Sequence, residues 1–475
     1  MSPALHRFEP ALPALAFAIF VTLIGPWWSV FELDPDEGFN LMKAVLVVGG
    51  HAMFTEIWSD QPPFLTYILA LVHHVFGPNI GVARGTILLF SMGLISGLFY
   101  IVRTHINRMG AWIAVAVLGA GFIFQSLSVS VMIGLPAVAL AMISIALLYR
   151  ADGERAVVLI LSGVVMALAL QTKLFVVTAL PSALLAAAFT GPLTDVVSKR
   201  VARVAIWFGA VLLGWAAIAV VSGLDPLVHL IAPHTDDRLI EAFAYDGGPA
   251  RMVALLLLQP HYLFMAAVGF LCALTLRDVR FWIPVVWLAI SVMALIDHRP
   301  LWPHQLMLLF VPMAWLAGGI GSALMRPLQE GLVPRLRMAI GGVAILAMIP
   351  FAFDHVRQTS IRFNSETDPI DTAAVANLLA HADVTRWVVT DKPLDAYYAG
   401  LRTPPSLAVL SLKRIKGGTL TPDDVLAVIK NLRPEQVSYR RMFMGKSVAA
   451  HLKQHYVKVP NTQRHALFIR SDIAP

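Results

Sequence analysis

The chain has 475 residues, of which 58% are apolar or aromatic and only 14% charged, with a mean hydropathy of +0.72. Soluble domains carry about 25% charged residues, so a soluble enzyme or a nucleic-acid binder is excluded and a polytopic membrane protein is expected. The net charge of +7 arises entirely in residues 355–475, which hold 17 Lys/Arg against 10 Asp/Glu, while residues 1–354 hold 19 of each; no Lys/Arg run exceeds two residues, so this surplus reads as a solvated surface with no nucleic-acid partner.

The first apolar run, 11–31, follows His6 and Arg7 and ends in Gly25-Pro26-Trp27-Trp28. An aromatic belt fits that ending better than a small-residue cleavage site does, so the run is expected to be an uncleaved first span. Ten more runs approach the roughly 20 apolar residues that a span needs. They are 84–102, 111–130, 134–149, 156–171, 174–190, 204–222, 252–274, 281–296, 304–324 and 338–353. Arg103/Arg108, Arg150/Arg155, Lys199/Arg200/Arg203, Arg277/Arg280 and Arg326/Arg335/Arg337 fall on alternate connections. By the positive-inside rule those connections are cytoplasmic. Eleven spans in the cytoplasmic (inner) membrane then start inside and leave the C-terminal part outside. The single cysteine, Cys272, allows no intrachain disulfide.

The run 62–76 is too short for a span, and counting it as one would break the charge alternation. It is expected to lie on the outer face as an interfacial helix, within a first outer loop running from Glu32 to Ala83. The composition shift near Asp354 predicts a domain boundary, with a membrane domain over 1–354 and a small α/β domain over 355–475. In the latter, helices are expected at 371–381, 425–432 and 446–455. Thr421 is the expected N-cap and Pro422 the first residue of the second of these. Strands are expected at 386–390, 456–459 and 466–470.

The first outer loop opens with Glu32, Asp34, Asp36 and Glu37, four carboxylates within six residues. Residues 39–48 read as a short helix. Asp36 and Glu37 would sit at its N-terminus, where the backbone dipole keeps carboxylates ionised and fit to act as base or ligand. Asp60 precedes Pro62-Pro63, either as a helix cap or as a second polar group facing the same space. Arg84 and Lys173 lie at the outer face against the positive-inside trend, either snorkelling or forming an anion site. Two further outer loops are dense in polar groups: 233–238 with His234, Asp236 and Asp237, and 297–304 with His298, Trp302 and His304. A divalent metal is left open by these carboxylates and histidines, but no Cys/His set has metal spacing and no cofactor is called for. Carboxylates, cations and aromatics beneath an outer domain suit a substrate with an anionic head and a lipid tail.

The Pro35-Asp36-Glu37 loop, the Trp58-Ser59-Asp60-Gln61-Pro62-Pro63 segment with the helix ending at Phe76-Gly77, and Val82-Ala83-Arg84 together resemble the GT-C membrane glycosyltransferases. The protein O-mannosyltransferases and lipid A aminoarabinose transferases are the most similar types. The likeness covers the membrane part in order and topology and is strongest over residues 30–105. Lys173 and the Trp302-Pro303-His304 loop resemble later outer loops of that family. The resemblance implies a mainly α, GT-C-like fold and a polyprenyl-phosphate sugar donor. It implies transfer with inversion on the extracytoplasmic face, to an acceptor that is a protein, a glycan or a lipid. Asp36 would be general base, supported by Glu37. Arg84 and Lys173 would stabilise the leaving phosphate, and Asp60, Gln61, His298, Trp302 and His304 would bind substrate. Two departures stand out: Gln61 replaces the lysine of the aminoarabinose branch, and the second outer loop, 131–136, lacks an acidic residue. Rival readings are a lipid-linked-sugar flippase or transporter and a non-catalytic scaffold of this fold. The first requires ionisable groups deep in the spans.

Overall fold

Asparagine side chains cap two successive helices of the bundle. The Asn79 side chain accepts the Val82 N–H at 3.1 Å and starts helix Ile80–His105; that of Asn107 accepts the Gly110 N–H at 2.8 Å and starts Arg108–Gly119. The computed structural model describes residues 9–150, 155–189, 191, 194–235, 237–274, 278–325, 332–440, 445–460 and 465–474. Arg277, Arg326 and Asp236 of the expectations above lie outside them. Helices make up 71% of the structure.

Among the described residues, four helices are long and apolar enough to cross a membrane: Ile80–His105, Val197–Ser222, Pro303–Leu324 and Arg335–Phe363. The Pro303–Leu324 window is 94% buried and forms the centre of the bundle, whereas Arg335–Phe363 is 11% buried and turns apolar side chains such as Phe353 outward. Exposed apolar helices of this kind fit lipid surroundings. Of the other expected spans, all but 252–274 overlap apolar helices of 10–17 residues, including Ala11–Ile24, Gly134–Arg150 and Ala156–Leu170. Helix Phe64–Phe76 begins directly after Pro63, where the interfacial helix was expected.

Three spans depart from the expectation. The run 252–274 is two helices, Pro249–Leu257 and Pro260–Ala273, bent by 90°, because Pro260 has no N–H to continue the first. The run 111–130 stops at Gly119 and resumes as Phe122–Leu127. Gly121 at that break lies against Tyr262 and Gln259 so closely that a Cβ would fall 2.2 Å from the Tyr262 hydroxyl. The last helix runs Leu332–Phe363, straight through Asp354, so the composition changes inside it.

Glu9 meets both Arg103 (2.8 Å) and Arg108 (2.5 Å), and Asp278 meets Arg280 (2.7 Å) and His105 (3.4 Å). These connections therefore gather at one end of the bundle. Arg84, at the other end of Ile80–His105, is about 28 Å away at 1.5 Å per residue.

The C-terminal part carries a four-stranded sheet: β1 (Val388–Thr390), β2 (Gln436–Tyr439), β3 (Tyr456–Lys458) and β4 (Ala466–Arg470), in the order β1-β2-β4-β3. β1 and β2 are parallel and the other pairs antiparallel. β1 starts late because the backbone N–H groups of Arg386 and Trp387 both donate to the Glu435 carboxylate at 3.0 Å. Helices Pro369–Leu379, Pro422–Leu432 and Lys446–His455 stand where expected, and Thr421 and Asp424 cap each other's backbone. β2 was not foreseen. Its Gln436 is buried, donating to the Leu378 carbonyl (3.0 Å) and the Thr385 hydroxyl (2.8 Å).

This part packs against the 31–73 segment. The Tyr398 hydroxyl donates to the Phe31 carbonyl at 2.9 Å, His73 Nε2 lies 3.0 Å from the Tyr397 hydroxyl, and Lys392 Nζ lies 3.3 Å from Glu32. A Cβ on Gly38 would lie 2.6 Å from the Leu394 backbone nitrogen. Gly38→Ala should therefore lower stability by about 1–3 kcal/mol through overpacking, read as a fall in the melting temperature of the detergent-solubilised protein.

Candidate active site

Glu37 and Arg84 hold the site's framework. The Arg84 guanidinium donates to both Glu37 carboxylate oxygens, at 3.0 and 2.7 Å, and to the carbonyls of Trp27 (2.9 Å) and Val30 (2.5 Å). Glu37 also accepts the backbone N–H groups of Leu33 (2.8 Å) and Val131 (2.9 Å). Both side chains are fully buried. The pair ties the end of the first span, the first and second outer loops and helix Ile80–His105 into one unit. Both were expected at the site; the structure turns four of the five Arg84 donors to protein and both Glu37 oxygens to N–H groups, and neither side chain lines the cavity described next.

The next carboxylate toward the N-terminus is placed differently. The Asp36 N–H donates to the Asp34 carboxylate at 3.0 Å, its carbonyl accepts the Asn40 N–H at 3.1 Å, and its side chain opens into a cavity of about 510 Å³. Asp36, Asn40 and Lys43 line that cavity from one face of helix Glu37–Val48, at the i, i+4, i+7 spacing. Asp60 and Gln61 enter from the loop before the interfacial helix, Lys173 from the turn after helix Ala156–Leu170, and His298, Trp302 and His304 from the 297–304 loop. Seven of the nine expected site residues thus converge. Lys43, His234 and Lys413 join them without having been singled out as site residues. The helical spacing from Asp36 signals Lys43; Lys413 lies 353 residues from Asp60, and no local pattern signals it.

Asp60 faces the cavity rather than capping the interfacial helix. It accepts Lys413 Nζ at 2.8 Å and lies 3.5 Å from His234 Nε2, and Lys413 also lies 3.0 Å from His234 Nδ1. Burial opposes its ionisation, but Lys413, His234 and Lys43 outweigh it and hold the Asp60 carboxyl well below the usual carboxylate range. Asp36 behaves oppositely. Burial and the Asp60 charge raise it above its ordinary value against the pull of Lys173, Lys43 and Lys413. Asp34, beside Asp36, is pushed up to about 7, chiefly by burial. Burial lowers Lys173 to about 8, and it brings His298 to about 4 with help from His234 and the nearby lysines.

Among the described residues, no group of three or more His, Cys, Asp or Glu side chains is arranged to hold a metal ion. His234 is engaged with Lys413 and Asp60, and Asp237 begins the short helix Asp237–Ala242.

ArnT from Cupriavidus metallidurans, solved bound to undecaprenyl phosphate, superposes with a TM-score of 0.61 at 12% identity, over 97% of this chain and 99% of that one. The chain has the GT-C fold. AglB, the oligosaccharyltransferase of Archaeoglobus fulgidus, solved with an inhibitory peptide and a dolichol-phosphate, shares this GT-C architecture at a TM-score of 0.58 and 11% identity, over 99% of this chain and 75% of that one. The mycobacterial arabinofuranosyltransferase AftD matches at 0.53 and 14% identity, over 98% of this chain and 40% of that larger one. Residues 60–221 match the family profile of dolichyl-phosphate-mannose-protein mannosyltransferase. No curated protein matches the chain by sequence. The profile covers the Asp60 loop, helix Phe64–Phe76 and Lys173, so it includes part of the cavity.

Proposed function

We propose that the protein transfers a sugar from a polyprenyl-phosphate donor to an acceptor on the extracytoplasmic face of the cytoplasmic membrane. Its eleven spans run with the N-terminus inside and the C-terminal domain outside. Asp36 is the general base. It takes the proton of an acceptor hydroxyl as that oxygen bonds to the anomeric carbon, and the bond from that carbon to the phosphate oxygen breaks, inverting the centre. The phosphate leaves with the electron pair beside Lys173 and Lys43, whose charges offset the charge it gains. Trp302 and Phe175 line the same cavity and give the sugar aromatic contact area. The acceptor is a protein, a glycan or a lipid.

The observation that carries this reading is the Asp36 carboxylate in one cavity of a GT-C fold with Lys173 and Lys43, both close enough to act on its charge. A carboxyl raised from its ordinary value is a better proton acceptor than a free one. The rival transporter reading requires ionisable groups near the middle of the spans, whereas the charged groups of this cavity come from loops and helix ends.

The pH dependence tests the assignment. Asp36 acts unprotonated, so donor kcat/KM should rise with pH along a limb above the ordinary carboxylate value of 3.8. Lys173 acts protonated, so kcat/KM should fall again as pH passes about 8. Lys173→Arg should move the alkaline limb upward and leave the acidic limb in place, as read from initial rates of radiolabelled sugar transfer across pH 5–10.

A further inference from the structure

Segment 409–413 of the C-terminal part forms one wall of the cavity, together with Asp391. Its position is set on both sides. Ser411 caps helix Leu412–Lys416 by accepting the Arg414 N–H at 3.3 Å, and the Arg414 guanidinium lies 3.9 Å from the centre of the Trp58 ring while donating to the carbonyls of Ser406 (3.1 Å) and Val409 (3.0 Å). A desolvated cation over an aromatic face is held by the ring's quadrupole, so this short helix is fixed on the loop that carries Asp60. Farther along the same contact, Lys392 bridges Glu32 and Asp371. Lys413 is thereby aimed into the cavity. Its ammonium has three donors; one goes to Asp60, one to His234 Nδ1, and the third remains for an occupant. Lys43 and Lys173 enter the cavity from two other elements, so cations from three separate parts of the chain converge on it.

We infer that the C-terminal domain is a working part of the donor site, and that Lys413 is the residue through which it binds the donor's lipid-linked phosphate, giving the anion its third donor while it keeps its contacts with Asp60 and His234. This rests on the proposed function. The domain is then neither an independent acceptor-binding module nor a passive cover: the membrane part alone has an incomplete phosphate site. Asp60 and His234 hold the ammonium in place while the cavity is empty, which lowers the ordering cost when the phosphate arrives.

The test is binding of a synthetic polyprenyl phosphate to the full-length protein in detergent, with the uncharged polyprenol of the same chain length as control. A lost hydrogen bond to a charged group costs about 10- to 100-fold in affinity. Lys413→Ala should show that loss for the phosphate and leave the polyprenol unchanged. Lys413→Arg should stay within about threefold of wild type, and Lys430→Ala, an exposed lysine of the same domain, should have no effect. Lys413→Met keeps the apolar stem and replaces the alanine variant if that one fails to fold. If the wild-type protein binds both lipids alike, the functional reading falls. If the wild type prefers the phosphate and Lys413→Ala and Lys413→Met retain that preference in full, the reading stands and the role of Lys413 is refuted.

Discussion

Asp36→Asn lowers sugar transfer by about 10²- to 10⁴-fold, the usual contribution of a positioned general base, while the protein accumulates and melts as the wild type does. Asn has the same shape and keeps both backbone bonds of residue 36, so the framework around Glu37 is untouched. Removing a raised carboxylate from among Lys173, Lys43 and Lys413 leaves those cations in place, so donor affinity is retained or increases and the loss appears in kcat. Rates of transfer in proteoliposomes, measured with donor titration, separate the two. A variant with wild-type kcat would remove Asp36 from the chemistry.

Arg84→Ala produces the other large effect, on folding. It leaves the fully buried Glu37 carboxylate without its cation and strips the Trp27 and Val30 carbonyls of their donor. Breaking a buried ion pair by removing one partner costs about 3–5 kcal/mol, so the variant should accumulate poorly and melt well below wild type in detergent. Glu37→Gln should do the same, since it also abandons part of what holds Leu33 and Val131. Whatever fraction of Arg84→Ala folds should bind polyprenyl phosphate normally. A variant as stable as wild type but unable to bind the phosphate would place Arg84 in the site after all.

Arg84 shows where sequence reasoning stopped. A cation at an outer helix end is equally compatible with snorkelling, anion binding or a buried pair, and only the chain's return to Glu37 decides among them. Adjacent carboxylates met opposite fates for the same reason. On helix Glu37–Val48, Glu37 turns toward Arg84 and the bundle, while Asp36 before it opens to the cavity. The loop pattern located both but could not say which was free. Helix caps and proline starts were legible because their physics is local, as Thr421 and Pro422 illustrate. The bend at Pro260 was overlooked because a continuous apolar run masks a break that only backbone hydrogen bonding imposes. Lys413 was invisible because nothing near it in sequence reports that its helix lands on Trp58. The strand Gln436–Tyr439 alternates polar and apolar residues over only four positions, too short a run to stand out, and its polar Gln436 and Ser438 are buried because the strand is central in the sheet.

The most direct measurement offers purified protein in liposomes a set of radiolabelled polyprenyl-phosphate hexoses and pentoses and follows two products, free polyprenyl phosphate and intact donor in the opposite leaflet. Cleavage of at least one donor, dependent on Asp36 and without movement of the intact lipid across the bilayer, is the predicted result. Intact donor crossing the bilayer with no polyprenyl phosphate released would contradict the account and establish a transporter built on the GT-C fold.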